Sequence, residues 1–299
     1  MKNGLPAGEE RPLPGFALLF LAAFVFSLMI ALVKAASASV PVGQLLFFRF
    51  FIGLAAIQAA RSAGVIKFTP VNRAGLFLRG LFGGIAVLCY FVAVYRGGDV
   101  HAVTHAVLLN STYPIFVAMF SAVYIGERVR RGMILPLAAA GLALVLKPAS
   151  GGVLAADLIG LASGVSAGFA ILTVRKLRRT DSVWCILYYF NLIGALFAVP
   201  VIIITRSESL SMPSAGGVLL ILGAAALANT AQALLTAAYR FTRASEGSVT
   251  TLASVVFSSI IAALFFGERL TALTVVGGLL ILGAGVALSA RSKAEAPSS

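Results

Sequence analysis

The chain is a succession of apolar runs, each about as long as the ~20-residue helix needed to cross the hydrocarbon core of a bilayer. Ten runs can be read: 16–34, 42–60, 74–95, 102–125, 132–147, 157–174, 183–205, 216–239, 247–266 and 272–290. Short links and two tails take up the rest of the 299 residues, which leaves no room for a soluble domain. Period-two alternation is missing from the runs, so a membrane β-barrel is not the expected fold. In hydrocarbon every backbone N–H and C=O must be satisfied within the protein, and a helix does this segment by segment. Composition agrees. Hydrophobic residues make up 60% and charged residues 11%, against ~45–50% and ~25% in soluble domains. That balance excludes a soluble enzyme, a nucleic-acid-binding module and a secreted disulfide scaffold. Cys89 and Cys185 both sit inside apolar runs and read as packing residues rather than as a disulfide or metal pair.

Ala36-Ser37-Ala38 resembles a signal-peptide cleavage site. The apolar stretch before it is longer than a usual signal core, and Glu9 and Glu10 precede it, so the first run is read as a span. The basic residues then set the orientation. With the N-terminus inside, the inner segments hold 16 of the 23 Lys and Arg residues, the outer ends hold 5, and Arg49 and Arg79 lie within spans. This bias puts both termini in the cytoplasm, which requires an even number of spans. It also accounts for most of the +13 net charge, so no nucleic-acid partner is expected.

The two halves echo each other. Gly126-Glu127-Arg128 follows the fourth span and Gly267-Glu268-Arg269 the ninth, 141 residues later. Tyr95-Arg96 ends the third span and Tyr239-Arg240 the eighth; Lys34 and Arg175 end the first and the sixth. A repeat of five spans is odd, so the second copy must enter the membrane from the opposite side. Inverted repeats of this kind recur in transporters, with substrate bound near the midplane.

These residues, with Phe48-Arg49-Phe50 in the second span and Gly277, Gly278 and Gly283 in the last, carry a family resemblance. The chain resembles the drug/metabolite transporter superfamily, of the EamA-like ten-helix type, over residues ~15–290. The resemblance implies an all-α integral membrane fold and export of amino acids or other small metabolites without ATP hydrolysis. The expected organisation is a cytoplasmic tail at 1–14, a first five-helix repeat at 15–150, an inverted second repeat at 151–290 and a cytoplasmic tail at 291–299.

Gly164-Val165-Ser166-Ala167-Gly168 matches a nucleophile-elbow pattern. That motif needs a strand–turn–helix setting, whereas Gly160, Gly164 and Gly168 recur every four residues in an apolar helix and read as a packing stripe. The sequon Asn110-Ser111-Thr112 lies inside a span, out of reach of glycosylation. No metal-protease, Walker or dinucleotide motif occurs, so neither a catalytic site, a resident metal or cofactor, nor an ATPase subunit is expected.

Arg49 stands well inside the second span, where a charge costs ~2.5–3.5 kcal/mol on insertion scales. It either recognises a substrate carboxylate or a gating carbonyl, or is a structurally capped or snorkelling side chain. Arg79 shares a helical face with Gly83, Ala86 and Tyr90. It reads as an interfacial anchor first and as the cationic end of a groove second. His101 and His105, one turn apart and near Asp99, can sense protons or gate, or can simply sit at a solvated helix end. Arg79, Asp99, His101 and His105 are therefore the candidates for gating or proton sensing.

The remaining polar groups fall on helical faces: Asn110 with Tyr113, Trp184 with Tyr188 and Asn191, and Asn229 with Gln232 and Thr236. Either they line a wet cavity or they bond helix to helix. With Arg49 and Tyr90, the set Asn110, Tyr113, Trp184, Tyr188, Asn191, Asn229 and Gln232 forms the candidate substrate site. Pro114 can interrupt its helix and free a carbonyl. Its counterpart 141 residues on is Val255, so the two halves are expected to differ here.

All ten Asp and Glu residues lie at span ends, in links or in tails. Pumps usually bury a carboxylate as an ion carrier, so facilitated or weakly coupled transport is expected. The sequence thus describes a multi-pass transporter of the bacterial inner membrane. The expected cargo is a small polar metabolite, an amino acid, carried by alternating access, with lipid and cargo as partners. A nucleotide sugar, a phosphosugar or a cationic drug is the alternative cargo. A membrane-embedded enzyme or a non-transporting scaffold would be a different class, and the oligomeric state is left open.

Overall fold

The computed structural model describes residues 12–96, 109–125, 155–204 and 213–267, together with Val276 and Leu279. Within them the chain is helical, without strands: α1 Pro12–Ala36, α2 Val42–Ser62, α3 Arg73–Arg96, α4 Tyr113–Tyr124, α5 Ala155–Leu177, α6 Val183–Ile204, α7 Ala215–Ala238, α8 Ala244–Thr250 and α9 Ala253–Phe266. Seven stretches among the described residues are long and apolar enough to cross a membrane, and Ala244–Phe266, which joins α8 to α9, is one of them. The fifth and tenth predicted spans lie outside the described residues, apart from Val276 and Leu279. So do Asp99, His101, His105, Gly126-Glu127-Arg128 and Glu268-Arg269.

Large apolar side chains point away from the bundle on nearly every helix, among them Leu21, Phe24, Phe51, Leu196, Leu219 and Leu264. A water-facing surface would not carry so many; a lipid-facing one requires them. Helix ends are capped where the sequence supplies the means. Ser214 accepts from Gly217 N at 3.1 Å at the start of α7. Gly267 closes α9 in the left-handed region at φ 67°, where a Cβ would be strained.

The helix pairings come in couples. The most extensive are α3 on α5 and α1 on α7, followed by α2 on α6 and by α3 on α6 with α7 on α2. Exchanging α1, α2 and α3 for α5, α6 and α7 turns α3 on α5 into α7 on α1 and α3 on α6 into α7 on α2, and leaves α2 on α6 as it is. The members of such a couple run in opposite directions. Gly15, near the start of α1, packs on Thr242 and Phe241 beyond the end of α7. Arg175, at the end of α5, donates to the carbonyls of Tyr239 (2.9 Å) and Arg240 (3.1 Å) at that same place.

The basic links meet at this end. Buried Asp181, in the link between α5 and α6, accepts from Val71 N (2.9 Å) and Asn72 N (3.2 Å) in the link between α2 and α3. Asn72 in turn accepts from Gly75 N at the start of α3. Arg61 lies over the Phe68 ring at 4.8 Å. At the opposite end Lys34 lies over Phe266 at 4.5 Å, and Gly217 abuts Val40.

Two apolar clusters hold the bundle. One, near the basic end, includes Leu19, Leu76, Leu172, Leu177, Ile186, Leu235 and Tyr239. The other, toward the Lys34 end, includes Met29, Val33, Leu46, Phe50, Phe91, Phe190 and Ala224. On α1, α3 and α7 the residues between the two clusters face a shared space.

A candidate transport cavity between two interrupted helices

That space is a cavity of about 170 Å³ at mid-depth. α1 contributes Phe26 and Met29; α2 contributes Arg49; α3 contributes Arg79, Gly83, Ala86 and Tyr90. Asn110, Ser111 and Tyr113 enter from the fourth span, Phe190 from α6, Gln232 from α7, and Thr251 and Ser254 from the ninth span.

The fourth and ninth spans are both interrupted where they meet the cavity. Ahead of α4, Thr112 N bonds Leu109 O (3.2 Å) and Ile115 N bonds Thr112 O (2.9 Å), the i→i−3 pattern of a tightened turn. Between α8 and α9, Leu252 N bonds Val249 O (3.1 Å) and Val255 N bonds Leu252 O (2.9 Å). Each bond of the first pair has its partner 140 residues on. The expected difference between the halves is therefore corrected: the interruption is present in both, although only the first has a proline. Packing and side-chain hydroxyls produce it in the second. Thr250 and Thr251 bond back to the carbonyls of Glu246 and Ser248, a habit that loosens the helical ladder.

The glycine stripe explains how the fourth span comes so close. A Cβ at Gly160 would lie 3.0 Å from Leu109 Cβ, at Gly164 2.7 Å from Leu109 O, and at Gly168 2.9 Å from Phe116 Cβ. Small residues let two helix backbones approach, and the elbow-like serine pattern is part of this contact. Asn110 Nδ2 donates to Ser163 Oγ (2.6 Å), which donates to Ala86 O (2.7 Å), joining the fourth span through α5 to α3.

Two guanidiniums dominate the electrostatics. Arg49 is 6% exposed and Arg79 3%. The structure thus places Arg79 inside the bundle rather than at an interface, with Gly83, Ala86 and Tyr90 beside it along the cavity wall. Arg49 Cζ lies 5.6 Å from the Phe50 ring and 5.5 Å from that of Phe91; Arg79 Cζ lies 4.1 Å from that of Phe190. Arg79 Nη2 donates to Gln232 Oε1 at 3.0 Å. Among the described residues no carboxylate lines the cavity. Each arginine costs ~2.5–3.5 kcal/mol to place at mid-span. A ring contact returns ~0.5–2 kcal/mol, and an interhelical hydrogen bond ~0.6 kcal/mol on average. These contacts offset much of that cost, and none of them neutralises the charge.

The candidate substrate residues divide between cavity and packing. Arg49, Tyr90, Asn110, Tyr113 and Gln232 come together at the cavity. Asn191 and Asn229 bond each other instead (2.9 Å), and Asn229 also donates to Arg49 O (3.2 Å) and Ala225 O (2.9 Å). Those amides tie α6, α7 and α2 together. Tyr188 lies against Phe68, the rings tilted with centroids 5.6 Å apart, and Trp184 is 43% exposed; neither is among the lining residues. Sequence reasoning missed Phe26, Met29, Phe190, Thr251 and Ser254. On α6 it followed the polar face. The face carrying Ile186, Phe190 and Ile193 turns inward as well as Asn191, and of these Phe190 is the one that reaches the cavity, while Asn191 is used in a helix–helix contact.

Among the described residues, a helical bundle with exposed apolar flanks and a mid-depth cavity of mostly apolar wall, into which a few polar and two cationic side chains project, defines a multi-pass membrane protein able to hold a small molecule. The chain belongs to the EamA-like transporter family, whose model matches residues 13–146 and again residues 154–290. It is 34% identical over 289 residues to the "Pseudopaline exporter CntI" of Pseudomonas aeruginosa, in strains UCBPP-PA14 and PAO1, across 93% of this chain and 97% of that protein. It is also 23% identical over 298 residues to "Solute carrier family 35 member G1" of Mus musculus, across 92% of this chain and 78% of that protein. A solved crystal structure is similar in fold, with a TM-score of 0.69 and 22% identity over 92% of this chain and 98% of the other.

Proposed function

We propose that the protein exports a small carboxylate-bearing metabolite of amino-acid size across the bacterial inner membrane. The proposed architecture is ten spans in two inverted five-helix repeats, with both termini cytoplasmic. The observation that carries the reading is the burial of Arg49 at mid-depth, on a cavity it shares with Tyr90, Asn110, Tyr113 and Gln232. A guanidinium offers planar donors that match a carboxylate. Tyr and Asn supply the neutral hydrogen-bonding groups that fix orientation. A cavity of about 170 Å³ suits a compact molecule; an engineered pocket of ~150 Å³ accepts benzene. Two cations on one cavity weigh against a cationic drug as cargo. Kinship to a metabolite exporter supports the direction of transport.

Exchange of the cavity between the two membrane faces by rocking of the repeats is the proposed mechanism, and the paired interruptions are where the helices would bend. With no carboxylate among the described lining residues, transport is proposed to be facilitated or weakly coupled. Flux of an amino-acid and metabolite panel into proteoliposomes tests the reading. Arg49→Ala is expected to abolish transport of carboxylated cargo while remaining folded. Normal transport by that variant removes the charge-recognition claim, and a steep dependence of accumulation on an imposed pH gradient removes weak coupling.

A further inference from the structure

Recognition of one carboxylate by Arg49 leaves Arg79 without a task. Both guanidiniums line the same cavity. Aromatic rings cover a face of each. A ring satisfies the plane of a guanidinium but not the N–H groups at its edge. On Arg79, Nη2 donates to Gln232, and buried Nε has no hydrogen-bond partner among the described residues. The backbone also makes room for this cation: a Cβ at Gly83 would fall on Arg79 Nη1 and lie 2.9 Å from the Phe190 ring. No carboxylate among the described residues enters the cavity to balance the pair. One anionic group on the cargo would neutralise one arginine and leave the other uncompensated in a low-dielectric space. Two would neutralise both, with charge-assisted hydrogen bonds at each end.

We infer that the cargo carries two anionic groups on a compact frame, one bound by Arg49 and the other by Arg79. The inference rests on the reading of this cavity as the cargo site. It assigns Arg79 to specificity, as the residue that separates doubly anionic molecules from singly anionic ones. The second group is a carboxylate or a phosphate, which share oxygen acceptors suited to the arginine fork.

The test is binding to the purified full-length protein in neutral detergent, by calorimetry and thermal shift, with matched probes: glutamate against glutamine, succinate against butyrate, and O-phosphoserine against serine. The doubly anionic member is expected to bind roughly tenfold tighter or better in the carboxylate pairs, the phosphate pair or both, as one added charged hydrogen-bonding group implies. Which pairs respond identifies the second group. Arg79→Gln is expected to shrink the preference to within about threefold, and Arg79→Lys to retain most of it. Equal or tighter binding of the singly anionic member in every pair overturns the two-anion claim and leaves the carboxylate reading standing. Failure of every probe to bind overturns both. A full preference retained by folded Arg79→Gln overturns the role of Arg79. Should that variant not fold, the wild-type pairs and Arg79→Lys still decide.

Discussion

The hydroxyl of Tyr113 donates to the main-chain carbonyl of Ser248 at 3.2 Å, and so ties the interruption ahead of α4 to the one between α8 and α9. Ser248 O is available because Leu252 N bonds Val249 O instead. Thr251 Oγ1 donates to the same carbonyl at 2.9 Å and lies against the Tyr113 hydroxyl. Tyr113→Phe therefore removes one donor without orphaning the acceptor. The expected loss of stability is about 1 kcal/mol, with turnover reduced more than affinity because the two helices no longer move as a pair. Thermal melts and proteoliposome flux measure both. Unchanged turnover in the variant would mean that the link is passive.

Gly83 is the position where a single methyl group would act on the proposed cargo site without changing a binding side chain chemically. Gly83→Ala would push its methyl group onto Arg79 and the Phe190 ring. Binding of carboxylated cargo is expected to weaken roughly tenfold, the value of one displaced charged hydrogen bond. Gly216→Ala is the control, since the nearest atom to its Cβ would be 3.9 Å away. Equal affinities for the two variants would show that Arg79 has room to spare.

Asn229 offers the opposite case. Its amide is engaged with Asn191, Arg49 O and Ala225 O, and Gly53 packs against it. Asn229→Ala is expected to cost ~0.6–1.7 kcal/mol of stability, the range of interhelical hydrogen bonds in membranes. Cargo selectivity should be unaltered, whereas Gln232→Leu should change selectivity through Arg79. Detergent melts and competition assays separate the two effects. A changed substrate profile in Asn229→Ala would return that residue to the binding site.

Orientation is open to labelling. Ser39 and Lys67 are both exposed, at opposite ends of the bundle. With Cys89 and Cys185 replaced, Ser39→Cys is expected to react with an impermeant thiol reagent added to intact cells. Lys67→Cys should react only after the inner face is opened. Reaction of Lys67→Cys in intact cells would reverse the orientation drawn from the basic residues.

Much of the fold was legible because lipid imposes a one-dimensional rule: length and apolarity mark a span, and basic residues collect at one end. The contacts of Arg175, Arg61 and Asp181 at a single end of the bundle follow the alternation of links read from charge. The glycines at 160, 164 and 168 announced a close helix contact by spacing alone. The site was harder to read. A polar residue in a span must leave lipid, but it can do so toward a cavity or toward another helix, and Asn229 and Gln232, three residues apart on α7, took different options. Trp184 and Tyr188 are candidates for the substrate site by sequence, whereas the aromatic residues on the cavity wall include Tyr90 and, from α6, Phe190.

The sequence alone marks this chain as a multi-pass helical membrane protein, because hydrophobic length and charge bias are properties of the chain in order. Only the tertiary structure decided that Arg49 and Arg79, on neighbouring helices, share one cavity without a described carboxylate. It alone showed that the ninth span is interrupted as the fourth is, without a proline. Both depend on how helix faces rotate against one another, and that is set by packing volume at Gly83, Gly164 and Phe190 rather than by local polarity.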